Sequence, residues 1–202
     1  MADFDVVVEG LAGIEGALDI GRSVRVRASQ ALNKTAQRTL TSAARKMREQ
    51  VNFPATYLTG KDGRLKITKH STPDDLETII TGRHRATSLA RFAANPVPNL
   101  KGPTVSVKPG KASSMKRAFL IRLKKGTVLT DTQFNLGLAI RLKMNERIRN
   151  KKVMVEIGDT GLYLLYGPSV DQVFRAVAEE EATPSLEFLE REFERLMRLG
   201  RG

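Results

Sequence analysis

Apolar and small residues recur at three- and four-residue spacing from Val24 through Ala28, Leu32, Ala36, Leu40, Ala43 and Met47 to Val51. That period belongs to a helix with one buried face, and its length predicts about seven turns. A helix of that length needs a partner surface to cover its stripe. Ser23 is positioned to cap its start, and Asn52-Phe53-Pro54 ends it, because a residue before proline avoids helical angles.

Other segments carry a period of two. Phe4 to Glu9 predicts a short N-terminal strand, and Gly13, Gly16 and Gly21 weaken any helix between it and residue 21. Leu65–Thr68 and Leu76–Thr81 predict strands on either side of the turn-forming Pro73-Asp74-Asp75. Further strands are predicted at Thr104–Val107, Ala118–Leu123, Leu136–Leu142 and Val153–Ile157. Ser169 with Gln172 forms a capping box that opens a helix to about Glu181. Thr183-Pro184 opens a second, with Leu186, Leu189, Phe193, Leu196 and Met197 on one face up to Gly200. The order predicts an α+β fold: a long N-terminal amphipathic helix packed on a mainly antiparallel sheet, with C-terminal helices. Residues 1–182 are expected to form the domain and 183–202 a helical extension.

Hydrophobic residues make up 41% and charged residues 28% of the 202, a globular composition. The absence of cysteine excludes disulfides, thiolate metal sites and cysteine nucleophiles. No run reaches the ~18 apolar residues of a membrane span, and the acidic start lacks the basic region of a signal peptide, so a soluble cytoplasmic chain is expected.

The net charge of +12 is unevenly spread. Residues 1–20 hold five acids and no Lys or Arg, residues 21–152 hold 29 bases and 7 acids, and residues 153–202 hold 5 bases and 10 acids. The net charges are therefore −5, +22 and −5. A basic body between acidic ends can complement a second copy or an acidic partner such as DNA. The densest basic run is Lys108, Lys111, Lys116, Arg117, Arg122, Lys124 and Lys125, with no acid among them in sequence. It is expected to form a hairpin-like arm that contacts a partner or DNA.

No constellation for catalysis emerges. His70 and His84 stand alone in basic surroundings, and neither has the spacing of a metal site. Asp74, Asp75 and Glu77 read as a solvated turn. Gly102 to Ser113 fails the spacing of a phosphate-binding loop, and Ala112 stands where that loop needs Ser or Thr. Gly167-Pro168-Ser169 is not a nucleophile elbow, and its serine reads as a helix cap. No catalytic residue, cofactor or metal is expected. Aromatic residues are few, at 5% with no tryptophan, and no recognised nucleic-acid-binding motif is present. A basic nucleic-acid-binding protein without enzymatic activity is the alternative reading.

Several segments together resemble the prophage minor tail protein Z family of lambda-like long-tailed bacteriophages. They are Ala31-Leu32-Asn33-Lys34-Thr35-Ala36, Arg91-Phe92, Arg117-Ala118-Phe119-Leu120, Leu138-Ala139-Ile140-Arg141, and Leu164-Leu165-Tyr166-Gly167-Pro168-Ser169-Val170 followed by Phe174. They run in the family's order over about residues 24–178. The resemblance implies a structural virion protein that completes the head-proximal end of the tail. Its implied partners are the tail terminator, tail tube and head-tail connector proteins, and copies of itself in a ring, commonly a hexamer, around the DNA channel. It implies assembly in the host cytoplasm and a final place in the virion. For a subunit interface the sequence offers Tyr166, Phe174, Leu186, Phe188, Leu189, Phe193 and Leu199. Among these, Phe188 and Leu199 sit off the main apolar face and are expected to lack a partner within the chain.

Overall fold

The computed structural model describes residues 6–7, 21–96, 101–123, 136–143, 146, 153–158 and 160–199. The fold is α+β, with a long N-terminal helix packed on antiparallel sheet and a long C-terminal helix. The chain divides into two compact units, residues 1–47, 55–83 and 171–202 in one, and residues 48–54 and 84–170 in the other.

The first unit contains strand β1 (Val6–Val7), most of helix α1 (Arg22–Gln50), the short helix α2 (Ala55–Thr59), strands β2 (Leu65–Lys69) and β3 (Ile79–Gly82), and helix α3 (Val170–Leu199) from Asp171 onward. The α1 periodicity holds as expected, but its start does not. The first helical turn closes on the carbonyl of Gly21, which accepts from Val24 N–H at 2.8 Å, so Ser23 already lies inside the helix. Ala28, Leu32, Ala36, Leu40 and Met47 are buried as the spacing predicts. The three strands pair antiparallel in the order β1-β3-β2.

The strand expected from Leu76 begins only at Ile79. Leu76 instead packs on the cluster of Ala31, Leu32 and Leu189, and Thr78 Oγ1 lies 3.3 Å from Asn33 Oδ1. Asn33 uses its side-chain amide like a strand residue's peptide group. Its Nδ2 donates to Ser71 O at 2.8 Å and its Oδ1 accepts from Ser71 N–H at 2.9 Å. That contact holds α1 to the β2–β3 connection and leaves those buried polar groups satisfied.

The two predicted C-terminal helices are one. α3 runs unbroken from Val170 to Leu199 with Pro184 inside it. The expected boundary at residue 183 therefore falls mid-helix. Proline there removes a backbone donor and crowds the carbonyl four residues back, usually enough to break a helix. Contacts to α1 on both sides of Pro184, at Glu181 and at Ser185, hold the halves in one register.

The second unit is built on strand β10. In chain order its elements are β4 (Ala86–Ser88), a 3-10 turn (Leu89–Phe92), β5 (Thr104–Lys108), β6 (Lys111–Ser114), β7 (Ala118–Arg122), β8 (Leu136–Arg141), β9 (Met154–Glu156) and β10 (Leu162–Ser169). The strand order is β4-β10-β8-β7, with β9 also on β10 and every pairing antiparallel. Ala139, Leu164 and Tyr166 centre its core, flanked by Phe119, Ile121 and Val155. At Gly137 on β8 an added Cβ would lie 2.5 Å from Leu164 Cδ2, so a larger residue there would have to displace that buried side chain.

Candidate functional site

Among the described residues, two charged surfaces and a few exposed apolar side chains offer themselves to other molecules. The first surface is the β5–β6 hairpin. Pro109-Gly110 turns the chain so that Lys108 and Lys111 face each other in register, and Gly110 takes φ +71, a conformation that favours glycine. All four residues of β6 are exposed. The hairpin is anchored through β5. Asn52 Nδ2 donates to Ser106 O at 2.9 Å and lies 2.8 Å from Ser106 Oγ, and Asn52 N–H donates to Val107 O at 2.8 Å.

The expected arm over 108–125 is therefore only partly an arm. Lys108, Lys111 and Lys116 are exposed on or beside the hairpin. Beyond them the chain enters β7, whose Ala118 and Leu120 are buried in the sheet core, and Arg122 is exposed at that strand's end. Lys124 and Lys125 lie outside the described residues. Nor does the run lack an opposing acid. Arg117 Nη1 and Nη2 donate to Glu146 Oε1 and Oε2 at 2.8 and 2.7 Å, a bidentate pair, and Lys143 N–H adds a third bond to Glu146 at 3.0 Å. These bonds pull the Glu146 carboxyl down to about 2 and raise the Arg117 guanidinium. Arg117 is thus engaged within the fold, by an acid 29 residues away that a local charge count does not reach.

The second surface lies along α1 where α3 runs antiparallel beside it. Four contacts mark the register: Lys34 Nζ to Glu192 at 2.9 Å, Thr39 Oγ1 to Ser185 Oγ at 2.6 Å, Ser42 Oγ to Glu181 at 2.9 Å, and Lys46 Nζ to Glu181 at 2.9 Å. Glu181, Ser185 and Glu192 are buried. Glu192 also accepts from Arg195 Nη2 at 2.6 Å, and the bonds from Arg195 and Lys34 bring its carboxyl down to about 2. Lys46 is raised by its bond to Glu181. Alongside this ladder, Lys34, Gln37, Arg38, Thr41 and Arg45 of α1 line an open groove of about 530 Å³ with Phe188 of α3. The Arg38 guanidinium carbon sits 4.2 Å from the centre of the Phe188 ring, a cation–π contact. Sequence alone does not single out Glu181, Ser185 and Glu192, because polar residues on a helix are mostly solvated. Their spacing of four and seven places them on the stripe that also holds Leu189, and this was the available signal.

The apolar candidates divide. Tyr166, Phe174 and Leu189 are buried within the chain and leave little area for a second copy to touch. Phe193 is half-buried on the Ala31–Leu32–Leu189 cluster, and Phe188, expected to be without a partner, lies under Arg38. Leu186 and Leu199 remain, 47% and 68% exposed.

Little here resembles a reaction centre. His70 and His84 are exposed. Asp75 and Glu77 both pair with Lys69, whose ammonium they raise, Asp75 more strongly. Ser169 closes β10 immediately before α3 and is buried. Among the described residues no three His, Asp or Glu side chains converge as metal ligands, and no helix is long and apolar enough to cross a membrane. No family model, curated protein or solved structure matches the chain.

Proposed function

We propose that the chain is a non-enzymatic structural protein of a bacteriophage tail. In this reading it completes the head-proximal end of the tail and joins it to the terminator and head-tail connector, as a ring of copies around the DNA channel. The observation that supports it best is the separation of charge onto different elements. The hairpin exposes Lys108 and Lys111 with Lys116 nearby, whereas α3 exposes Glu179, Glu180, Glu187, Glu190 and Glu194 against Arg191, Arg195 and Arg198, a net negative surface. Surfaces of opposite sign on one chain favour a head-to-tail contact between copies, which closes into a ring when its rotation divides a full turn. Leu186 and Leu199, exposed on the same helix, supply apolar area that charge alone cannot. The resemblance of its segments to the minor tail protein Z family supports a place in a virion for this assembly.

The test is to purify the full chain and examine it by negative-stain microscopy and native mass spectrometry. Closed rings of one stoichiometry, six by expectation, are the supporting result. A monomer at every concentration, both alone and mixed with tail-tube and terminator proteins, overturns the reading.

A further inference from the structure

Among the described residues, the outer face of α1 between Arg27 and Arg45 joins the contacts that hold the fold together only through the Lys34–Glu192 pair, the Ser42–Glu181 bond and the Arg38–Phe188 stack. Arg27, Lys34, Arg38 and Arg45 are spaced by seven, four and seven residues and so share one side of the helix. They span roughly 27 Å at the helical rise. No acid occurs on α1 before Glu49, and among the described residues Arg45 meets no carboxylate. We propose that this face is a track for the phosphodiester backbone of nucleic acid, read without regard to base sequence.

The choice of a polyanion over an acidic protein rests on what the groove lacks. A specific protein interface has an apolar centre, whereas the only aromatic here, Phe188, is already covered by Arg38. A phosphate backbone needs no such centre. It needs cations spread along its length and polar side chains to bond the phosphate oxygens, which Gln37 and Thr41 provide between the cations. Stacking on Phe188 also restricts the Arg38 guanidinium, so less freedom is lost when a phosphate binds. This inference stands apart from the tail reading, since a track on α1 serves a ring around DNA or a protein that never forms one.

The experiment measures binding of the full chain to a fluorescent 30-base-pair duplex of mixed sequence over a series of salt concentrations. Each neutralised phosphate adds about 0.9 to the slope of log affinity against log salt. R38Q/R45Q should lower that slope by about 2, and so should R27Q/R45Q, which leaves the Arg38–Phe188 stack in place. K108Q/K111Q should keep the slope contributed by α1. R27Q/R45Q is expected to melt with the wild type and R38Q/R45Q slightly below it for want of the Phe188 stack, and a scrambled duplex should bind as well as the first. A slope unchanged in both α1 variants overturns the proposal. So does retention of duplex binding with loss of self-association by sedimentation, which would mark the face as a protein contact.

Discussion

Glu192 shows how one residue can be misjudged from composition alone. Counted as one of ten acids in the last fifty residues, it reads as surface charge; in the fold it is buried between Lys34 and Arg195. Its carboxyl is held at about 2, below the ordinary 4.5. A depressed folded value means the ionised form is favoured by folding. The contribution is complete above about pH 4.5 and is lost as pH falls towards 2. E192Q should therefore be less stable than the wild type at pH 6, with the gap closing by pH 2.5. Glu146 is shifted in the same direction by Arg117, so E146Q is expected to remove part of the remaining acid sensitivity. Thermal melts from pH 2 to 7 check both, and a gap between E192Q and wild type that stays constant with pH would refute the account.

At the scale of elements, Pro184 gives the sharpest expectation. The helix keeps its course through a residue that disfavours it, so P184A should stabilise the chain by about 1–3 kcal/mol, measured by denaturant melts. A destabilised variant would mean that proline has a packing role not evident in its contacts. Elements with strong periodicity were legible: α1, β2, β5, β7 and β8 lie within a few residues of the expected spans. Those that were missed have physical reasons. The sequence Lys-Ala-Ser-Ser of β6 contains no strand-forming residue, and its strand exists because the Pro109-Gly110 turn folds it onto β5. β10 is not among the expected strands, because Gly167-Pro168 disfavours a strand. In the sheet Pro168 falls in the register shift between Gly167 and Ser169 against β4, where no ladder partner is needed. The five-residue α2 is too short to show a period at all.

For the whole molecule, sequence anticipated the fold class and the unequal charge but not which residues are spent inside the chain. Tyr166, Phe174 and Leu189 are interface candidates in sequence because a large apolar residue is ambiguous between core and contact until packing is known. Truncation after Thr183, which first suggests itself as a test of assembly, would strip Ser185, Leu189 and Glu192 from α1 and unfold part of the core. Point changes are the better probe. L186S/L199S should leave the melting temperature within about 2 °C, as expected for exposed sites, while weakening copy-to-copy association in sedimentation experiments. K108Q/K111Q/K116Q should do the same and make the remaining association less sensitive to salt. Association equal to wild type in both variants would place the contact elsewhere.

The partnership of α1 with α3 also has a consequence in time. Lys34 and Glu192 are separated by 158 positions, and unit boundaries are crossed repeatedly between them. At a synthesis rate of about 5–20 residues per second, α1 waits roughly 10–30 s on the ribosome before the helix that covers it has been made. Its Ala31–Leu32 face is uncovered by α3 throughout that interval. Nascent chains of this protein should therefore bind holding chaperones while α1 is outside the tunnel, and release them only once the last thirty residues emerge.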